Sequence, residues 1–123
     1  MPATRPLNVL VVDDNHDGAD SSAMLLRLYG HEVRVARSCA EAVESADAVA
    51  PDLVLLDIGL PDGTGYELAA TLTGRLERRP VFVAVTGHSH FEERSRAAGI
   101  DHHFLKPVEP RLLVELLEAF AGR

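Results

Sequence analysis

The sequence predicts an α/β fold in which a mostly parallel sheet is covered by helices on both faces, a (βα)5 chain. Short β-type apolar runs alternate with stretches of helical periodicity along the whole length. The third run, Leu53-Val54-Leu55-Leu56, is continuously apolar, as expected of a parallel strand buried on both sides. Each run also gives way to polar residues at its carboxyl end, where open α/β sheets bind their ligands.

The elements follow in order. Leu7 to Val12 reads as a strand that ends in Asp13-Asp14, and Leu25, Leu28 and Tyr29 mark a helix behind it. Gly30 stands where a helix C-terminus favours positive φ, and Glu32 to Ala36 alternates as a second strand. Ser38, with Glu41 three residues on, predicts a capping box opening an Ala- and Glu-rich helix to Ala48. The third strand ends at Asp57, and the segment with Gly59, Pro61, Gly63 and Gly65 reads as a loop. A short helix from about Tyr66 to Leu72 leads through polar Arg75 to Arg79 into a fourth strand, Val81 to Val85, closed by Thr86-Gly87. A fourth helix is expected over roughly 91–98, stopping at Gly99. A short strand, His103 to Leu105, ends at Lys106-Pro107. The last helix opens with Pro110 at its first position and carries Leu112, Leu113, Leu116, Leu117 and Phe120.

With 123 residues, 46% of them hydrophobic and 25% charged, the chain is expected to form one domain over 1–123 with its core at about 8–121 and no output domain. Val81 to Val85 is the longest apolar run, far short of the roughly 18 residues that span a bilayer. With no secretory pattern before Asn8, the expectation is a soluble, cytoplasmic protein without a membrane partner. The single cysteine, Cys39, excludes an internal disulfide and a cysteine-based zinc site, and is expected to be inert. A net charge of −7 disfavours direct nucleic-acid binding. Lys106 is the only lysine, the other eleven basic residues being arginines.

Asp13, Asp14, Asp57, Thr86 and Lys106 are expected to converge on the rim formed by the strands' carboxyl ends. Three carboxylates held together repel one another, and a hard divalent cation such as Mg2+ relieves this with oxygen ligands and retained waters. A carboxylate beside such a cation, with an ammonium and a hydroxyl at hand, can attack an activated phosphorus, and Asp57 is the candidate nucleophile. The histidine pairs His88/His90 and His102/His103 lack the i, i+4 spacing of a helical zinc site.

Val9-Leu-Val-Val-Asp-Asp14, Leu53-Val-Leu-Leu-Asp-Ile-Gly-Leu-Pro61, Val85-Thr-Gly87 and Leu105-Lys-Pro107 together resemble, in order and spacing, the response-regulator receiver domain of two-component signalling. The resemblance runs from Asn8 to about Ala121. It implies a flavodoxin-like, doubly wound sheet of five parallel strands in the order 2-1-3-4-5. It implies that Asp57 accepts a phosphoryl group, that Asp14 binds Mg2+ directly and Asp13 largely through water, and that the Gly59 carbonyl is a further metal ligand. Lys106 would pair with a phosphoryl oxygen, Thr86 would move towards another, and the Lys106-Pro107 bond would be cis. The protein would catalyse only its own phosphorylation and dephosphorylation. Its donor would be a histidine kinase or histidine phosphotransfer protein, its reader an unknown downstream protein. Modification would alter the surface of the fourth helix, fifth strand and fifth helix, with a phosphorylation-dependent dimer compatible with this scheme.

Some positions depart from the family pattern. His103 occupies the switch position, three before the lysine, where Tyr or Phe is usual; either it merely packs or faces solvent, or its titratable ring makes the coupling pH-sensitive. Gly59 and His88 are positions that tune phosphate lifetime, and Pro61-Asp62-Gly63-Thr64-Gly65 replaces the commoner Pro-Gly-Met-Asp-Gly. Phe104 to Pro110 and the leucine-rich helix after it also resemble receivers attached to hybrid histidine kinases. An aspartyl-phosphate phosphohydrolase would instead carry Asp-x-Asp after its first strand and a cap domain. A flavodoxin-type electron carrier would carry a Ser/Thr-rich phosphate loop where this chain has Asp13-Asp14-Asn15-His16-Asp17.

Overall fold

The computed structural model describes residues 6–86, 99–105 and 109–121. Short apolar runs, continuous in all but the alternating second strand and the His-containing last one, build the parallel strands β1 (Asn8–Val12), β2 (Glu32–Ala36), β3 (Leu53–Asp57), β6 (Val81–Thr86) and β7 (His102–Leu105). They form one sheet in the order β2-β1-β3-β6-β7, which is the 2-1-3-4-5 arrangement expected. The predicted loop after β3 folds into a two-stranded antiparallel ribbon, β4 (Gly59–Leu60) with β5 (Gly63–Thr64).

Strand alternation sorts the side chains onto two cores. Val9, Val11, Leu53, Leu55, Val83 and Val85 face one side, where α1 (His16–Leu28) and the C-terminal helix α4 (Pro110–Ala121) cover them. Leu10, Val12, Val54, Leu56, Phe82 and Ala84 face the other, under α2 (Cys39–Ala48) and α3 (Gly65–Arg75). Leu26 and Leu72 are wholly buried, and removing each such side chain from water contributes roughly 1.5–3 kcal/mol. The buried stripe of α1 is Ala19, Ala23 and Leu26, whereas Leu28 and Tyr29 are exposed. Of the predicted apolar positions, Leu25 is partly buried, and Leu28 and Tyr29, though helically spaced, fall on the outer side.

Local signals set the element ends. Gly30 takes φ 91° after α1 and Gly99 takes φ 82° before β7, conformations that cost a residue with a Cβ. Ser38 caps α2 by accepting from Glu41 N at 3.2 Å, but the expected capping box is only half formed. The Glu41 carboxylate accepts instead from Arg37 N, one residue before the cap. The complete box lies at Thr64 and Glu67, where side chain and backbone exchange bonds of 3.1 and 2.9 Å, so that α3 starts at Gly65 and runs on to Arg75. Pro110 is the first residue of α4, as predicted. The helix expected over 91–98 and the Lys106-Pro107 bond lie outside the described residues.

Candidate functional site

Sheet register brings the acidic residues together. Val12 pairs with both Leu56 and Ala36, so the residues that follow, Asp13 and Asp57, leave adjacent strands side by side. Asp13 N still donates to Ala36 O at 3.0 Å, and the chain then turns outwards. Carboxylate oxygens of Asp13, Asp14 and Asp57 lie within 4.8 Å of one another, with Asp14 exposed and the other two partly buried.

Short-range bonds hold these side chains in place. Asp13 Oδ1 accepts from Asn15 N at 2.9 Å, and Asn15 Oδ1 in turn caps α1 by accepting from Gly18 N at 3.1 Å. The first carboxylate is thereby fixed relative to the start of a helix, whose dipole favours negative charge there. Asp57 Oδ1 accepts from Gly59 N at 3.3 Å, tying the third carboxylate to the ribbon. Behind Asp57 the chain admits no side chain at position 65. A Cβ on Gly65 would stand 2.5 Å from Leu56 Cδ1 and 2.6 Å from the Asp57 carbonyl oxygen. Gly65 N donates to Ile58 O at 2.8 Å, so α3 begins directly against the strand end that carries Asp57. A cavity lined by Asp13, Asn15, Ser21, Asp57, Val85 and Leu113 opens beside the cluster between α1 and α4.

This donor set suits Mg2+. All three side chains offer hard carboxylate oxygens and none offers nitrogen or sulfur, and the exposure of Asp14 leaves room for the waters that Mg2+ retains.

Of the other predicted residues, Gly59 is exposed at the start of the ribbon, and Thr86 ends β6 opposite Leu105 of β7, on the same rim. Lys106, His88 and the Thr86 side chain lie outside the described part of the molecule. His103 sits on β7 in register with Ala84, partly buried, and its Nε2 has no hydrogen-bond partner among the described residues. His102 packs edge-on against Phe120 with centroids 5.8 Å apart. Adjacent on a strand, His102 and His103 project to opposite faces of the sheet and do not form a joint ligand pair. Cys39 is half-buried, and burial, reinforced by the Asp62 carboxylate, pushes its thiol up to about 11, which leaves it unreactive.

Sequence reasoning did not single out Asn15, Gly65 or Asp62. Thr64-Gly-Tyr-Glu67 carries a capping signature that would have located the start of α3, and hence the tight packing at Gly65.

A doubly wound five-stranded sheet with three carboxylates on its carboxyl rim defines the receiver class of signalling domain. The family described as response regulator receiver domain matches residues 9–118, and the chain belongs to it. It is similar to the polar-differentiation response regulator DivK of Brucella anthropi, with 31% identity over 120 residues covering 95% of this chain and 98% of that protein. A CheY-like receiver domain protein from Methanospirillum hungatei superposes with a TM-score of 0.85 at 32% identity, covering 95% of this chain and 94% of that one. A two-component response regulator from Clostridium difficile shares the fold, with a TM-score of 0.87 at 23% identity over 94% of this chain and 96% of that one. Receiver domains are signalling switches, and Mg2+ binding and phosphorylation are general properties of the family. None of the described helices is long and apolar enough to cross a membrane.

Proposed function

We propose that the chain is a phosphoaccepting switch in which Asp57 takes a phosphoryl group from the phosphohistidine of a histidine kinase or phosphotransfer protein. The observation that carries this reading is the meeting of Asp13, Asp14 and Asp57 within 4.8 Å at the ends of two neighbouring strands. A carboxylate oxygen of Asp57 forms a bond to phosphorus while the donor's phosphorus–nitrogen bond breaks. The electron pair stays on the departing imidazole, which takes up a proton. Asp13, Asp14, Asp57 and the Gly59 carbonyl would hold Mg2+, which when bound offsets the negative charge of the transferring phosphoryl oxygens. The Lys106 ammonium pairs with one of those oxygens, and the Thr86 hydroxyl closes on another once the group is attached.

That movement biases an existing two-state equilibrium and changes the surface built by residues 91–98, β7 and α4, which a downstream protein reads. The receiver acts by protein contact, and its chemistry is the gain and loss of its own phosphoryl group. His103 stands where the switch couples to that surface.

Incubation with Mg2+ and acetyl phosphate, followed by intact-mass measurement, tests the proposal. The expected result is a gain of one phosphoryl group that requires Mg2+ and disappears in Asp57→Asn. A folded wild-type protein that binds Mg2+ but gains no mass would refute the phosphoacceptor role.

A further inference from the structure

The turn of the β4–β5 ribbon joins parts of the molecule that are distant in sequence. Asp62 Oδ1 accepts from Cys39 N at 2.8 Å and Oδ2 accepts from Ala40 N at 3.0 Å, so both oxygens sit on the first turn of α2. Those N–H groups are among the ones a helix start leaves without partners inside the helix, and the helix dipole favours a carboxylate there. The two backbone hydrogen bonds hold the Asp62 carboxyl below its usual range. The contact continues on both sides of the turn. Cys39 Sγ lies 3.9 Å from Thr64 O, and a Cβ on Gly63 would stand 3.3 Å from the same sulfur.

The far end of the ribbon is Gly59, which pairs with Thr64 and donates its N–H to Asp57. An isolated pair of two-residue strands is too short to hold its own geometry, and Gly59 and Gly63 add backbone freedom. Something outside the ribbon must fix it. Resting on the receiver reading, in which the Gly59 carbonyl is a metal ligand, we infer that Asp62 is a positioning residue for the Mg2+ site. Its carboxylate clamps the ribbon to α2 and so sets where Gly59 stands relative to Asp13, Asp14 and Asp57. Ser38 provides the control. Its Oγ caps the same end of α2 through Glu41 N, yet its side chain makes no hydrogen bond to the ribbon among the described residues.

The test compares wild type, Asp62→Ala, Asp62→Asn and Ser38→Ala by calorimetric Mg2+ titration, acetyl phosphate labelling and thermal unfolding. Ser38→Ala is expected to lose stability while binding Mg2+ within twofold of wild type. Asp62→Ala should bind Mg2+ about tenfold more weakly, the lower end of the effect of removing a group that orients a metal ligand. Asp62→Asn should recover part of the affinity, because its amide oxygen still accepts one of the two bonds, and it carries the test should the alanine variant not fold. Raising Mg2+ should restore labelling of both Asp62 variants. Mg2+ affinities of the Asp62 variants within twofold of wild type, or weakened no more than in Ser38→Ala, would reduce Asp62 to a helix cap and overturn the inference. A wild-type protein that binds Mg2+ but takes no phosphoryl group would overturn the phosphoacceptor reading alone, and the Mg2+ titrations would still decide the role of Asp62.

Discussion

Both edges of the sheet carry aspartates, and the two edges treat them in opposite ways. At the amino edge, Asp52 Oδ2 accepts from Asn8 N at 2.8 Å and its Oδ1 meets Arg78 at 2.7 Å. Asp101 Oδ2 likewise accepts from Phe82 N at 2.8 Å and meets Arg79 Nη1 at 3.0 Å. Each carboxylate there joins two strands and faces a cation. At the carboxyl edge, Asp13, Asp14 and Asp57 bring carboxylate oxygens within 4.8 Å of one another. The same residue type thus joins two strands and meets an arginine at one edge, and gathers with two like carboxylates at the other. Its neighbours across the sheet decide which.

Substitution at the two edges should accordingly act with opposite sign. The larger effect is expected at the amino edge. Asp52→Ala leaves Asn8 N without its acceptor and should cost about 2 kcal/mol, within the usual range for a hydrogen bond to a charged group. In urea the midpoint should fall with little change in slope. Labelling of Asp57 per folded molecule should stay as in wild type. At the carboxyl edge, Asp57→Asn removes one of three like charges, while its amide oxygen can still accept from Gly59 N. Without Mg2+ this variant should be more stable than wild type by about 1 kcal/mol, the size of a close charge repulsion largely screened by water. Added Mg2+ should then raise its melting temperature less than that of wild type. A destabilised, Mg2+-free Asp57→Asn would break the contrast between the edges.

What the sequence made legible follows from the same physics. A buried parallel strand must change abruptly from apolar to polar where it leaves the sheet, so Asp13, Asp14 and Asp57 announce themselves as strand ends. The strand order rests on the family resemblance, and the meeting of these three on register pairs such as Val12 with Leu56. The contacts of Asp62, Asp52 and Asp101 were not legible, because their partners lie 19 to 44 residues away and nothing local specifies them. The ribbon at Gly59–Leu60 and Gly63–Thr64 escaped for a related reason. Strands of two residues carry no periodicity, and this pair is held by Asp62 and by the capping box at Thr64 as much as by its own pairing. At Ser38 the pattern was present, but Glu41 turned to Arg37 N, a choice between adjacent donors that spacing does not resolve.

The smallest expected effect concerns a second fastener at the amino edge, a histidine in place of an aspartate. His31 is buried, and its Nδ1 accepts from Leu7 N at 3.1 Å, tying the start of β2 to the residue before β1. Burial lowers its pKa below the ordinary 6.5, and the nearby Glu118 carboxylate only partly opposes this. The folded state thus favours the neutral ring, and protonating Nδ1 would set one donor against another. Because the folded pKa lies below the unfolded one, the stabilisation is complete above about pH 6.5 and fades as pH falls through the folded value. Mild acid should therefore loosen the His31 contact. His31→Asn supplies an acceptor that does not titrate at the position of Nδ1. Its urea midpoint should fall less than that of wild type between pH 7 and pH 5, and parallel curves would show that His31 titrates alike in the folded and unfolded chain.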